Sequence, residues 1–195
     1  RRIDLDRNVF RIALDGRNGF LAVLHRSGKH LFQRLSASGE PGASFGVFFP
    51  EELQSSLTAD GWIVPIGPDA FIYPFRHAGI LASYTLDGRP RFFRRTIDPL
   101  RLPPVHFDAA GLQTIDPAAP QASFSASVVG PDLFVLNAGA KDRVIDVYDV
   151  ETGTYRWSLH PPEPDARYVV LIADRLFSAS RRGVTIWRRM KAGTN

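Results

Sequence analysis

The chain has 195 residues, 44% hydrophobic and 23% charged, the balance of a folded globular protein with room for one sizeable core. It has no cysteine, which excludes a disulfide framework, a thiolate metal site and a lipidated cysteine, and no apolar run approaches the roughly 18 residues of a membrane-spanning helix. The net charge of +4 rests on arginine, since Lys29, Lys141 and Lys191 are the only lysines; guanidinium groups suit salt bridges, an acidic partner or an anionic lipid surface.

The sequence opens on Arg1 rather than Met, which predicts a processed chain or a piece of a longer one. A first unit covers residues 1–36. A polar turn, Asp6-Arg7-Asn8, leads into a strand over 9–13; a second strand over 20–25 turns at Ser27-Gly28-Lys29 and returns through His30-Leu31-Phe32. Residues 37–59 read as an insertion, with the apolar stretch Phe45-Gly46-Val47-Phe48-Phe49-Pro50 and one or two helical turns over 51–57. A second unit, 60–97, has strands over 61–65, 70–73 and 80–86, a turn at Asp87-Gly88 and a return at Arg91-Phe92-Phe93. Glycine accepts the positive φ that tight hairpins require, so Ser-Gly and Asp-Gly between alternating runs mark hairpins. A second insertion, 98–120, holds the apolar loop Pro99–Phe107. The third unit, 121–160, has strands over 122–129 and 132–136, an alternating strand over 143–150, a turn at Glu151-Thr152-Gly153 and a return over 154–159. The fourth, 165–189, has three strands, over 168–172, 176–180 and 184–187.

These units repeat. A short polar turn followed by an apolar–Phe pair recurs at Phe10, Phe71, Phe134 and Phe177, spaced by 61, 63 and 43 residues. A unit of about 40–50 residues, lengthened by insertions, fits the four-stranded blade of a β-propeller. The expectation is one all-β, propeller-like domain of about four antiparallel blade units, a partial or incomplete ring. The last unit lacks its outer strand, which Arg2-Ile3-Asp4-Leu5 could supply in a closed ring; in an open arc the edge would need a partner.

The run Ser27-Gly28-Lys29-His30-Leu31-Phe32 followed by Gly39-Glu40-Pro41-Gly42-Ala43-Ser44-Phe45 resembles the hairpin and inter-blade loop of bacterial six-bladed propellers of the NHL/TolB-like kind. Anchored on Pro41-Gly42, Ser38 and Glu40 stand where that pattern has two leading glycines, and Phe45 comes one residue late. The C-terminal runs over 173–180 and 183–187 are similar to a closing blade of the same proteins. The resemblance implies a fold and a habit of binding, and no reaction.

The chemistry-bearing residues do not form a motif. His25, His30, His77, His106 and His160 show no metal-ligand spacing, although His25 and His30 flank one turn. There is no nucleophile elbow, Walker A loop or dinucleotide fingerprint. Asp146 and Asp149, beside Lys141 and Arg143, read as charge pairs. The doublets Arg94-Arg95, Arg181-Arg182 and Arg188-Arg189 come without a nucleic-acid-binding signature. No catalytic residue, cofactor or metal is expected, and no nucleic acid. The candidate partner contacts are Phe45, Phe48, Phe49, Leu100, Leu102 and Phe107, apolar residues of the two insertions, since aromatic residues are enriched at interfaces. The expected function is a non-enzymatic binding or scaffold protein, an accessory subunit docked by protein contacts on a larger assembly, membrane-bound or free. Its expected setting is bacterial and exported, in the periplasm or at the cell surface. The alternatives are a propeller lyase or hydrolase with a site in the central funnel, and a ligand-sensing module.

Overall fold

A computed structural model describes residues 9–24, 30–46, 57–98, 100, 102–110, 113–138 and 142–188. Among them the secondary structure is all β. The first sheet is an antiparallel meander of β1 (Val9–Leu14), β2 (Phe20–Leu24), β3 (Phe32–Leu35) and β4 (Pro41–Phe45). The second is β5 (Val64–Ile66), β6 (Ala70–Pro74), β7 (Ile80–Thr85) and β8 (Pro90–Arg95). A small hairpin, β9 (Val105–Phe107) and β10 (Gln113–Ile115), precedes the third sheet of β11 (Ser125–Val129), β12 (Asp132–Asn137), β13 (Val144–Asp149) and β14 (Tyr155–Leu159). The last sheet has three strands, β15 (Tyr168–Ile172), β16 (Arg175–Ser180) and β17 (Gly183–Arg188). The residues 51–57 expected to form helical turns lie, apart from Leu57, outside the described residues.

The arrangement differs from the sequence expectation in three places. The first sheet runs on to Phe45, so β4 lies inside the segment read as an insertion. Its opening Pro-Gly suggests a loop, but proline is tolerated as the first residue of a strand. Phe10 lies on the first strand of its sheet, whereas Phe71, Phe134 and Phe177 lie on the second strands of theirs. Finally, the segment 98–120 contains the hairpin β9–β10.

Burial patterns show how the sheets stack. In β7 and β13 four consecutive residues are buried, so both faces are covered. In β1 burial alternates, and every residue of β17 is exposed. Each core is built from the facing sides of consecutive sheets. Between the first two sheets, the Phe32 ring lies 5.0 Å from Phe71, 4.9 Å from Tyr73 and 5.6 Å from Phe45, edge-on to the first two, an arrangement aromatic quadrupoles favour. Between the second and third, Ile72, Leu81 and Phe92 meet Leu133, Val135 and Tyr148. Between the third and fourth, Leu136 and Ile145 meet Ala166 and Val169.

A joint recurs at the rim. Gly88, in the β7–β8 turn, has φ +83°, and an added Cβ would stand 2.8 Å from Cγ of Phe45 on the preceding sheet. Gly153, in the β13–β14 turn, has φ +68°, and its Cβ would stand 2.6 Å from the ring of Phe92, again on the preceding sheet. Only glycine supplies both the left-handed backbone and the missing volume.

Candidate interaction surface

Several charged side chains pair within the chain. Asp60, buried ahead of β5, accepts from Arg11 of β1 at 2.6 and 3.0 Å and from Arg76 of the β6–β7 loop at 3.2 Å. Arg76 also donates to Gln121, on the approach to the third sheet. The Arg11 guanidinium lies 4.5 Å from the centre of Trp62, whose ring meets Tyr168 edge-on. Asp15 accepts from the backbone N–H groups of Arg17 and Gly19 and from Arg34, closing the β1–β2 turn. Arg17 reaches Asp69, and Arg91 reaches Glu151 across to the third sheet. Asp149, beside Arg156 and receiving hydrogen bonds from Thr152 and the Glu151 backbone, has its carboxyl lowered to about 2.

The third sheet holds a buried polar group of its own. Asp146 accepts from Ser158 at 2.5 Å, from Asn137, and from Tyr148 at 3.4 Å. Burial nevertheless raises the Asp146 carboxyl above the ordinary aspartate value of 3.8, because desolvation penalises the charged form. The folded state therefore holds this proton more tightly than the unfolded chain. Its contribution falls as pH rises from that ordinary value to the folded one and is constant above it. In Asp146→Asn this fall should be absent: urea unfolding from pH 3 to 7 should show the variant gaining on the parent as pH rises. Parallel curves would contradict the assignment.

Serines carry a seam that strand patterning alone does not reveal. The Ser125 hydroxyl donates to the Val169 carbonyl and accepts from its N–H, both at 2.9 Å, and Ser127 accepts from the Leu171 N–H at 3.0 Å. These bonds fasten β11 to β15. Between the second and third sheets lies an open groove of about 820 Å³, floored by Val64, Ile66 and Val128 and rimmed by Arg91, Glu151 and Asp69. Among the described residues no three His, Asp or Glu side chains gather where they could hold a metal ion.

The candidate partner contacts separate. Phe45 is buried in the first core against Phe32 and Phe71. Leu102 packs, partly buried, against that same core. Leu100 is half-buried, and its carbonyl accepts from the Gly79 N–H. Phe107 projects from β9 with 66% of its surface exposed. Phe48 and Phe49 lie outside the described residues. Sequence reasoning passes over other exposed apolar residues: Tyr155 and Trp157 on β14, Val170 and Ile172 on β15, Val184 and Ile186 on β17. The available signal is the last unit itself, where the run Tyr168–Ile172 is apolar on both faces of its strand.

No family model matches the sequence, and no curated protein matches it. Solved structures do resemble the fold. The computationally designed Ika4 protein is 10% identical, with a TM-score of 0.54 over 96% of this chain and 97% of its own. The RRP9 WD40 repeats are 8% identical, with a TM-score of 0.58 over 94% of this chain and 49% of theirs. The WD40 β-propeller domain of Doa1 is 12% identical, with a TM-score of 0.56 over 94% of this chain and 52% of its own. The chain is thus an all-β, partial β-propeller, and it spans about half the length of the two WD40 structures.

Proposed function

We propose that this chain is a non-catalytic protein-binding scaffold, an accessory subunit held in a larger assembly by protein contacts. The observation that carries the reading is Phe107, two-thirds exposed on a hairpin that belongs to none of the larger sheets. Covering an exposed phenylalanine is worth about 1.5–3 kcal/mol, and phenylalanine is enriched where proteins meet. The first strands of the four larger sheets supply further support. They carry Arg11 and Tyr168 as their only titratable side chains, and Arg11 is tied to Asp60. A funnel enzyme would need acids and bases converging there. The proposal extends to an exported bacterial setting in the periplasm or at the cell surface, beside a membrane whose anionic face suits the arginine-rich charge, and to kinship with the NHL/TolB-like propellers.

A photo-crosslinking residue at position 107, introduced in the source cells, tests the reading. One dominant cross-linked protein, whose adduct is suppressed by excess parent chain but not by excess Phe107→Glu chain, is the expected outcome. Absence of any protein adduct at 107, with the chain folded and expressed, would overturn it.

A further inference from the structure

We infer that the free edge of β1 is a docking site for an extended peptide of a partner protein, one that carries an acidic side chain between apolar ones. The site is separate from the surface around Phe107, and its test leaves that reading untouched. β1 is the first strand of its sheet and pairs only with β2. Just beyond the strand, the Asp15 N–H donates to the Gly19 carbonyl at 3.1 Å. Bonded and unbonded pairs alternate along an antiparallel ladder. Over the unbroken register from Arg11–Val23 to Leu14–Phe20, Arg11 and Ala13 therefore bond to β2, and Ile12 and Leu14 turn their N–H and carbonyl groups the other way. Among the described residues no hydrogen bond reaches those groups. The two side chains are 53% and 70% exposed.

Two other first strands guard the same edge. In β15 the Val169 N–H and carbonyl and the Leu171 N–H are taken by Ser125 and Ser127. Ahead of β5 the Trp62 N–H bonds to the Pro74 carbonyl, so the register Val64–Ile72, Pro65–Phe71 leaves Pro65 facing outward, and proline has no N–H to offer. β1 has neither device, and an unguarded edge is a template for another strand. Beside it a pocket of about 350 Å³ opens between residues Phe10 to Ala13 and the pair Trp62 and Ile63. Arg11 lines this pocket. Its Nε and Nη2 donate to Asp60, and Arg76 shares that carboxylate. Two guanidinium groups thus stand over one acid, and Arg11 Nη1 has no partner among the described residues. A strand laid along β1 sets its residue opposite Arg11 on the same face of the sheet, with Cβ atoms about 5 Å apart. A glutamate there reaches Nη1, and the apolar residues flanking it meet Phe10 and Ile12. Main-chain hydrogen bonds to Ile12 and Leu14 supply affinity, and the charge contact supplies specificity.

The probe is the peptide acetyl-Thr-Val-Glu-Val-Glu-Val-Thr-amide, which reads alike in both directions and so fits a parallel or an antiparallel partner. Titrated into the whole chain by calorimetry, it should bind, and it should slow amide hydrogen exchange at Ile12 and Leu14. Lysine in place of both glutamates should weaken binding roughly tenfold or more, the worth of a charge-assisted hydrogen bond. N-methylation of the three central residues should abolish binding. Leu14→Pro should abolish it too, with unchanged far-ultraviolet circular dichroism, because the lost N–H makes no bond to β2. No binding at millimolar peptide would overturn the inference. So would binding that survives N-methylation, which puts the peptide elsewhere whether or not Leu14→Pro folds. A parent dimer that Leu14→Pro turns into a monomer would also overturn it, since the edge then belongs to a second copy.

Discussion

Replacing Phe32 by alanine will cost about 3–5 kcal/mol of folding free energy, the range for removing a fully buried phenylalanine, and will lower the thermal midpoint by roughly 10 °C in a chain of this size. Phe32 is fully buried on β3. Its ring contacts Phe45 of its own sheet and Phe71, Tyr73 and Tyr84 of the next. The substitution therefore opens a cavity at the seam between two sheets, where neither sheet can collapse alone. Exposed Phe107 is the control: Phe107→Ala should stay within about 0.5 kcal/mol of the parent. Equal losses in the two variants, measured by urea denaturation, would show that the first core does not hold the arc together.

The second large effect is expected at Asp60. Its carboxylate side chain is 4% exposed and takes hydrogen bonds from two arginines that are only partly buried. Asp60→Ala removes the acceptor and leaves both guanidinium groups facing the gap. Breaking a fully buried pair costs about 3–5 kcal/mol. The arginines keep some access to water, so about 2–4 kcal/mol is expected here. The loss should be strongly non-additive with Arg11→Ala, because the two single changes remove the same contact. Additive losses in that double-mutant cycle would mean that the Asp60 carboxylate acts chiefly through Arg76, its other partner at 3.2 Å, rather than through Arg11.

The third sheet was the most legible part of the fold. Residues 132–136 open on a polar turn and an apolar–Phe pair, residues 143–150 read as an alternating strand, Gly153 marks the turn, and β12, β13 and β14 lie where those signals put them. The first sheet was less legible for a physical reason. A polar turn followed by an apolar–Phe pair is a local signal; whether the strand it opens is first or second in a sheet depends on partners far along the chain. Phe10 shows the turn-and-Phe pattern of Phe71 but pairs one strand earlier in its sheet. Phe45 illustrates the same limit at the level of the surface. By composition it is an interface residue; its burial depends on a glycine turn 43 positions later. Ser125 and Ser127 look like ordinary strand residues until β15 is brought alongside. Apolar character is written in the sequence, but the assembly of sheets decides which apolar residues stay uncovered.

The glycine–aromatic joint has a consequence for how such a chain can evolve. Phe45 on Gly88 and Phe92 on Gly153 are the same coupling made twice, so a blade carries a socket in its last turn and a plug on its last strand. Trp157, on the last strand of the third sheet and 45% exposed, is a plug facing a neighbour that, among the described residues, has three strands and no such turn. A gene segment duplicated from one outer strand to the next would bring a matched socket and plug with it. Gain or loss of a whole blade would then leave every remaining joint intact.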